Sequence, residues 1–138
     1  MPRELKPAEM AAPAAAYAHG VHVPAGFECV VTSGVVPTRN DGSVPANIGE
    51  QAGVVWQNIL AILAEGKMSA RDSISVTTYV VYASDSGEMS TRLKLVMAAR
   101  DTALNGHLAA STLVTVPALA RPEWLMEISV LAARQPNS

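Results

Sequence analysis

Glu127 is the acidic residue best placed for chemistry. It falls inside an apolar run, Trp124 to Ala132, with Leu125 and Leu131 at same-face spacing for a strand. A carboxylate in such surroundings has a raised pKa unless a cation pairs with it, which suits general acid or base work. The structural alternative is an edge position where Glu127 is solvated or paired with an arginine. Ser33 and Gly34 are a second candidate: Gly34 allows close backbone approach to a ligand and Ser33 offers a hydrogen bond. Ordinary turn chemistry would call for the same pair. Cys29, the only cysteine, lies in a β-branched run and reads as a core residue, with no His and acid pattern to activate it. His19 and His22 are three apart, which in a strand sends them to opposite faces. With His107 they give no metal-ligand spacing. No metal and no cofactor is expected.

The elements that must position these groups follow from periodicity and turn residues. Residues 1 to 15 are rich in Pro and Ala and read as an irregular lead-in. Ala16 to Val23, the turn Pro24-Ala25-Gly26, and Phe27 to Ser33 read together as a β-hairpin. Asn40-Asp41-Gly42 marks a tight turn in a loop from Pro37 to Pro45. Asn47 is a helix N-cap with Glu50 three positions on, as in a capping box. Ile48, Ala52, Val55, Ile59 and Ile62 predict an amphipathic helix of about four turns, stopped at Gly66. Trp56 on that helix reads as core. Ser73 to Tyr82 predicts a central strand. Met89, Leu93, Val96 and Leu104 trace a second helix, ended by Gly106. Ala110 to Val116 and Trp124 to Ala132 are two further strands. The order β-β-α-β-α-β-β predicts an α+β domain over residues 16 to 134, a mixed sheet with both helices on one face, and a tail over 135 to 138. The uncovered face needs a partner. Val80, Val114, Met126 and Ile128 are candidates for burial by neighbouring subunits.

The 138 residues suit one domain with one core. Hydrophobic residues make up 49% and charged residues 16%, a low charge content that also points to extra buried surface. The net charge of −2 comes with no basic stripe, which argues against nucleic acid as a partner. The longest apolar runs, such as Ile59 to Ala64, fall far short of the ~20 residues of a membrane span. Met10 to Ala18 lacks the Leu, Ile and Val of a secretory segment. A reducing, cytoplasmic setting is the simplest reading of a chain with one cysteine.

Several short motifs in order carry a resemblance. Ala16-Tyr17-Ala18-His19-Gly20 is similar to a Pro-Tyr-x-x-Gly opening, and Val31-Thr32-Ser33-Gly34 to a Ser-Gly-Gln motif after the second strand. Gly49-Glu50-Gln51-Ala52 through Trp56-Gln57-Asn58-Ile59 is similar to a Gln-x(6)-Asn helix. Ser73 to Val80 is similar to a central strand, and Met126-Glu127-Ile128 through Ala132 to a closing strand with a Glu-Ile pair. In this order, from about Tyr17 to Arg134, the chain resembles the RidA (YjgF-like) family. The resemblance implies a chorismate-mutase-like fold, a homotrimer, and a small-molecule ligand in three clefts between subunits. It also implies hydrolysis of enamines and imines to a 2-keto acid and ammonia. There an arginine holds the substrate carboxylate as a bidentate pair, while a glutamate and a water carry out proton transfer and attack. Glu127 matches the glutamate, and Tyr17 matches a tyrosine near the pocket that could equally be packing.

The departure lies in Leu108-Ala109-Ala110-Ser111-Thr112, where the family's deaminases read Pro-Ala-Arg-Ser or Pro-Ala-Arg-Thr. Ala110 stands in the place of the arginine and Leu108 in that of the proline. Losing such a charge-assisted pair costs on the order of 2–5 kcal/mol in a desolvated site. Val35 replaces the usual glutamine, and Leu93 a common asparagine. His107, Arg92, Arg100 and Arg121 are the cations available to compensate, each with a plainer reading as a surface, solvated or interface group. The expected site is Glu127 and Tyr17, with Ser33, Gly34, Leu93, Ala110, Ser111 and Thr112 about the ligand. The expected function is a hydrolase of a reactive enamine or imine that is not a typical 2-imino acid deaminase. The alternative is a trimer that binds a small metabolite without catalysis. Endoribonuclease activity, a label also attached to this family, is disfavoured by the acidic balance.

Overall fold

Asn47 starts the first helix, α1 (Ile48–Glu65), by accepting a hydrogen bond from the Glu50 backbone N–H. Its own amide donates to the Glu50 carboxylate, so the two side chains brace each other, in place of the reciprocal backbone bond of a capping box. Gly66 ends the helix. Ile48, Ala52, Val55, Ile59 and Leu63 form the buried stripe, together with Trp56. Ile62, expected on that stripe, is exposed, because after Ile59 the 3.6-residue period brings Leu63 rather than Ile62 onto the core side. The second helix, α2 (Ser86–Leu104), is capped by the Asp85 carboxylate on the Glu88 N–H and stops at Asn105 in the left-handed region. Val96 and Leu104 are buried, and Met89 and Leu93 pack against the same core. The computed structural model describes residues 1–137.

Among the described residues, six strands accompany these helices: β1 (Arg3–Leu5), β2 (Gly20–His22), β3 (Glu28–Val31), β4 (Ser73–Val81), β5 (Ala110–Val116) and β6 (Met126–Arg134). The main sheet has the order β3-β6-β4-β5. β6 is antiparallel to both neighbours, while β4 and β5 are parallel and α2 supplies the crossover between them. The first two strand segments do not form the expected hairpin. β2 pairs with β1, and β3 pairs with β6. The turn chemistry was legible, since Gly26 takes a positive φ, but the chain leaves that turn into a different sheet. The lead-in therefore contains a strand that no period announces, three residues long. Beyond Arg134 the chain forms no helix or strand through Asn137, and Ser138 lies outside the described residues.

Strand alternation sets which face is covered. Val76, Thr78 and Val80 of β4, with Met126, Ile128 and Val130 of β6, are buried beneath the helices. Val80, Met126 and Ile128 thus belong to the core within one chain and are not free for a neighbour; a one-residue difference in strand phase exchanges the faces. Val114, the fourth of that group, is 41% exposed on the open face. There Val31 is 74% exposed.

The fully buried Gln51 of α1 ties the helix to the loops beside it. Its amide nitrogen donates to the Pro45 and Glu123 carbonyls, both at 2.8 Å. Its amide oxygen accepts from the Leu125 N–H at 2.9 Å. Gln51→Leu keeps the approximate shape and leaves these three backbone groups unpaired, so it is expected to destabilise the fold by roughly 2–4 kcal/mol. Urea unfolding followed by circular dichroism measures this, and an unchanged midpoint would refute the role.

Candidate functional site

A β-bulge sets the local geometry around Glu127. Thr32 N–H donates to the Val130 carbonyl, and the Thr32 hydroxyl accepts from the Val130 N–H while donating to the Ser33 carbonyl. Val35 and Ile128 exchange both backbone bonds. Ser33 and Gly34 therefore stand together opposite Ser129 alone, the two-against-one count of a bulge. Asn58 of α1 secures the chain beyond it, donating to the Thr38 carbonyl at 3.0 Å and the Val36 carbonyl at 3.4 Å. Val35 itself is buried in the core.

The half-buried Glu127 carboxylate lies against Gly34. A Cβ at Gly34 would overlap Glu127 Oε2 and lie 3.0 Å from its Cδ. The glycine is required here for space, since its backbone is not in the positive-φ region taken by Gly26, Gly42 and Gly106. Among the described residues, no cation forms an ion pair with Glu127.

The open face of the sheet is ordered in rows by strand register. Glu127 aligns with Tyr79 and Val114. Ser129 aligns with Thr77 and Thr112, and Leu131 with Ser75 and Ala110. Ala110 is thus two strands across and four residues along from Glu127, about 16 Å away by strand spacing and rise. Tyr17 stands on the Ala110 side, because Ala18 bridges to Ala110 and its N–H donates to the Ala109 carbonyl. Within one chain the expected residues form two groups: Ser33, Gly34 and Glu127 in one, Tyr17 and Ala110 in the other, with Thr112 in the row between.

Ser111 and Leu93 join neither group. Ser111 follows Ala110 on its strand and so points to the helix side, where its hydroxyl accepts from Arg100 Nη1 at 3.2 Å. Leu93 packs into the core on that same side. Arg100, read from sequence as solvated or at an interface, is 5% exposed and also holds the Asp101 carboxylate. Arg92 is engaged with Glu88 and with the Val81 carbonyl. Arg121 stacks over the Trp124 ring, and His107 donates to the Ser73 carbonyl. Cys29 is exposed on β3 rather than buried, because this strand's outer face carries no covering layer.

Sequence reasoning missed a cleft of about 420 Å³ bounded by Leu5, Met10, Tyr17, His19 and Leu108. Its wall is the lead-in, folded back by the β1–β2 pair, by a His19 bond to the Ala11 carbonyl, and by the Ala14 N–H donating to the Tyr17 hydroxyl. Only this long-range pairing makes a wall of Pro- and Ala-rich chain. Among the described residues, no group of three His, Cys, Asp or Glu could hold a metal ion, and no helix is long and apolar enough to cross a membrane.

No curated protein matches the chain by sequence. Solved structures do match. YyfB from Yersinia pestis, described as a protein of unknown function of the conserved Rid family, superimposes with a TM-score of 0.77 at 24% identity, over 96% of this chain and 98% of that one. The E. coli YjgF gene product gives a TM-score of 0.64 at 29% identity, over 89% and 93% of the two chains. E. coli TdcF, solved with bound serine, gives 0.65 at 23% identity over 96% and 98%. The family model described as Endoribonuclease L-PSP matches residues 8–134. With that match over nearly its whole length, and a fold shared with Rid and YjgF proteins, the chain belongs to the Endoribonuclease L-PSP family, of RidA type.

Proposed function

We propose that this protein hydrolyses a reactive enamine or imine, with Glu127 and a water, in clefts between the subunits of a cytoplasmic homotrimer. The observation that carries this reading is the Glu127 carboxylate, set against Gly34 in the bulge with no cation paired to it among the described residues. Such a carboxylate is free to take and return a proton. An enamine first gains a proton on carbon to become the imine. Water then attacks the imine carbon, Glu127 takes its proton, and the C=N π electrons pass to nitrogen. Glu127 returns that proton to nitrogen to give the carbinolamine, then carries the carbinolamine hydroxyl proton to nitrogen as C=O forms and the C–N bond breaks, and ammonia leaves. Water supplies the oxygen, and the products are a carbonyl compound and ammonia.

The trimer reading rests on two features. The Glu127 and Ala110 groups are too far apart in one chain to share one small molecule, whereas a second copy can bring one group opposite the other. The open face also exposes Val31 and Val114, which a neighbour would cover. Tyr17 then borders the cleft beside Ala110 and Thr112. The substrate departs from that of a 2-imino acid deaminase, because Ala110 offers nothing to hold a carboxylate. A second reading, a trimer that binds a metabolite without catalysis, is favoured by one observation: no described side chain orients Glu127 by a hydrogen bond.

Glu127→Gln is expected to lower the rate of ammonia release from enzymatically generated imines by roughly 10²–10⁴-fold, with the melting temperature little changed. If no imine is turned over by the wild type while ligand binding persists, the non-catalytic reading replaces this one. Gly34→Ala is expected to push the carboxylate aside at the flexible end of its side chain. It should therefore reduce the same activity about tenfold or more, with a stability change of less than about 1 kcal/mol. A Gly34→Ala protein with full activity would show that the contact has no bearing on the reaction. Light scattering in solution should return three times the 14.4 kDa chain mass; a monomer would refute the shared clefts.

A further inference from the structure

We infer that the Glu127 site selects imines and iminium cations that carry no carboxylate, so that oxidation of amines, rather than elimination from amino acids, supplies its substrate. The inference rests on the imine-hydrolase reading and names its substrate class. The three rows of the open face hold one charged residue, Glu127. Their polar members, Ser75, Thr77, Ser129 and Thr112, are neutral hydroxyls. The arginines of α2 lie behind the sheet, and each is already held there, Arg92 by Glu88 and the Val81 carbonyl, Arg100 by Asp101 and Ser111. In an oligomer built on this face, each copy brings the same rows, and so another carboxylate rather than a cation.

The electrostatics follow. A 2-imino acid would bring its own carboxylate onto rows whose only charge is negative, while Lys6, the lysine lining the cleft beside Tyr17, is already paired with Glu4. A protonated imine without that group meets an opposite charge at Glu127, and its remaining polar atoms meet hydroxyls. The balanced reaction is R₂C=NH₂⁺ + H₂O → R₂C=O + NH₄⁺. Imines of this kind arise when a two-electron oxidant takes hydride from the carbon beside an amine nitrogen. Elimination from serine-like amino acids instead leaves the carboxylate in place. The expected products are aldehydes or ketones with ammonium, not 2-keto acids.

A matched pair of substrates tests this with the full-length protein. A flavin amine oxidase acting on 2-phenylethylamine gives the carboxylate-free imine, and an amino-acid oxidase acting on phenylalanine gives the same side chain with a carboxylate. Acceleration of ammonia release should favour the first imine by about a hundredfold in kcat/KM, and Ala110→Arg should erase or reverse that preference. Equal or greater activity on the phenylalanine-derived imine would overturn the inference and leave imine hydrolysis standing. If neither imine is hydrolysed, the hydrolase reading falls, and calorimetry decides the ligand class. Binding of 2-phenylethylamine at least about tenfold tighter than phenylalanine would support the selectivity. Equal binding, tighter binding of phenylalanine, or binding of neither would overturn it.

Discussion

Three backbone groups with no partner in any helix or strand meet at the side-chain amide of Gln51. One belongs to the loop entering α1, and two belong to the segment that leads into β6. Buried carbonyls and N–H groups demand partners, and a primary amide, with donors and acceptor together, satisfies all three. Seven residues on, Asn58 donates to the Val36 and Thr38 carbonyls of the chain leaving the Gly34 bulge. These two amides lie about two helical turns apart on α1, near one face. One rigid helix thereby fixes both the strand that carries Glu127 and the loop that carries Gly34. The Gln-x(6)-Asn pattern thus acts here as a positioning device.

The second constraint is alternation along the strands. Ala110 and Ser111 are neighbours in sequence but belong to opposite sides of the sheet. Ser111 meets Arg100 behind it, while Ala110 faces outward. Arg100, close to Ala110 in sequence, therefore does not reach the outer face, because the sheet itself intervenes. The same rule moves Val80, Met126 and Ile128 into the core and leaves hydroxyls, Tyr79, Val114 and Glu127 outside. What makes the outer face distinctive is its shortage of charge, with one carboxylate over three rows.

Glu127 and Gly34 illustrate how a bulge sets a glycine against a carboxylate. The extra residue in the chain opposite Ser129 brings Gly34 to the carboxylate, and the absence of a Cβ gives that carboxylate room. The Ser-Gly pair follows β3 for that reason. A turn would require only conformational freedom, whereas here Gly34 has an ordinary backbone and a steric duty.

Most of the architecture was legible in the residues. The two helices, the cap of the first at Asn47, the strands β4 to β6 and most of the core stripe of α1 follow from periodicity and capping chemistry, which act over a few residues. The candidate roles of Glu127 and Gly34, and the loss of the arginine at Ala110, were likewise visible as residue types in order. The rest needed the folded chain, because it depends on pairings that no local signal encodes. β1 recruits β2 across the lead-in and shapes the cleft by Tyr17. Strand phase decides that Ser111 faces away from Glu127 and that Cys29 is exposed, and α2 carries Leu93 to the core side of the sheet. Arg100 is buried only because α2 lies over β5. Sequence by itself determined which elements form and which chemical groups are on hand. Tertiary structure alone decided which of those groups share a face, since facing is a property of register between distant strands and not of any single segment.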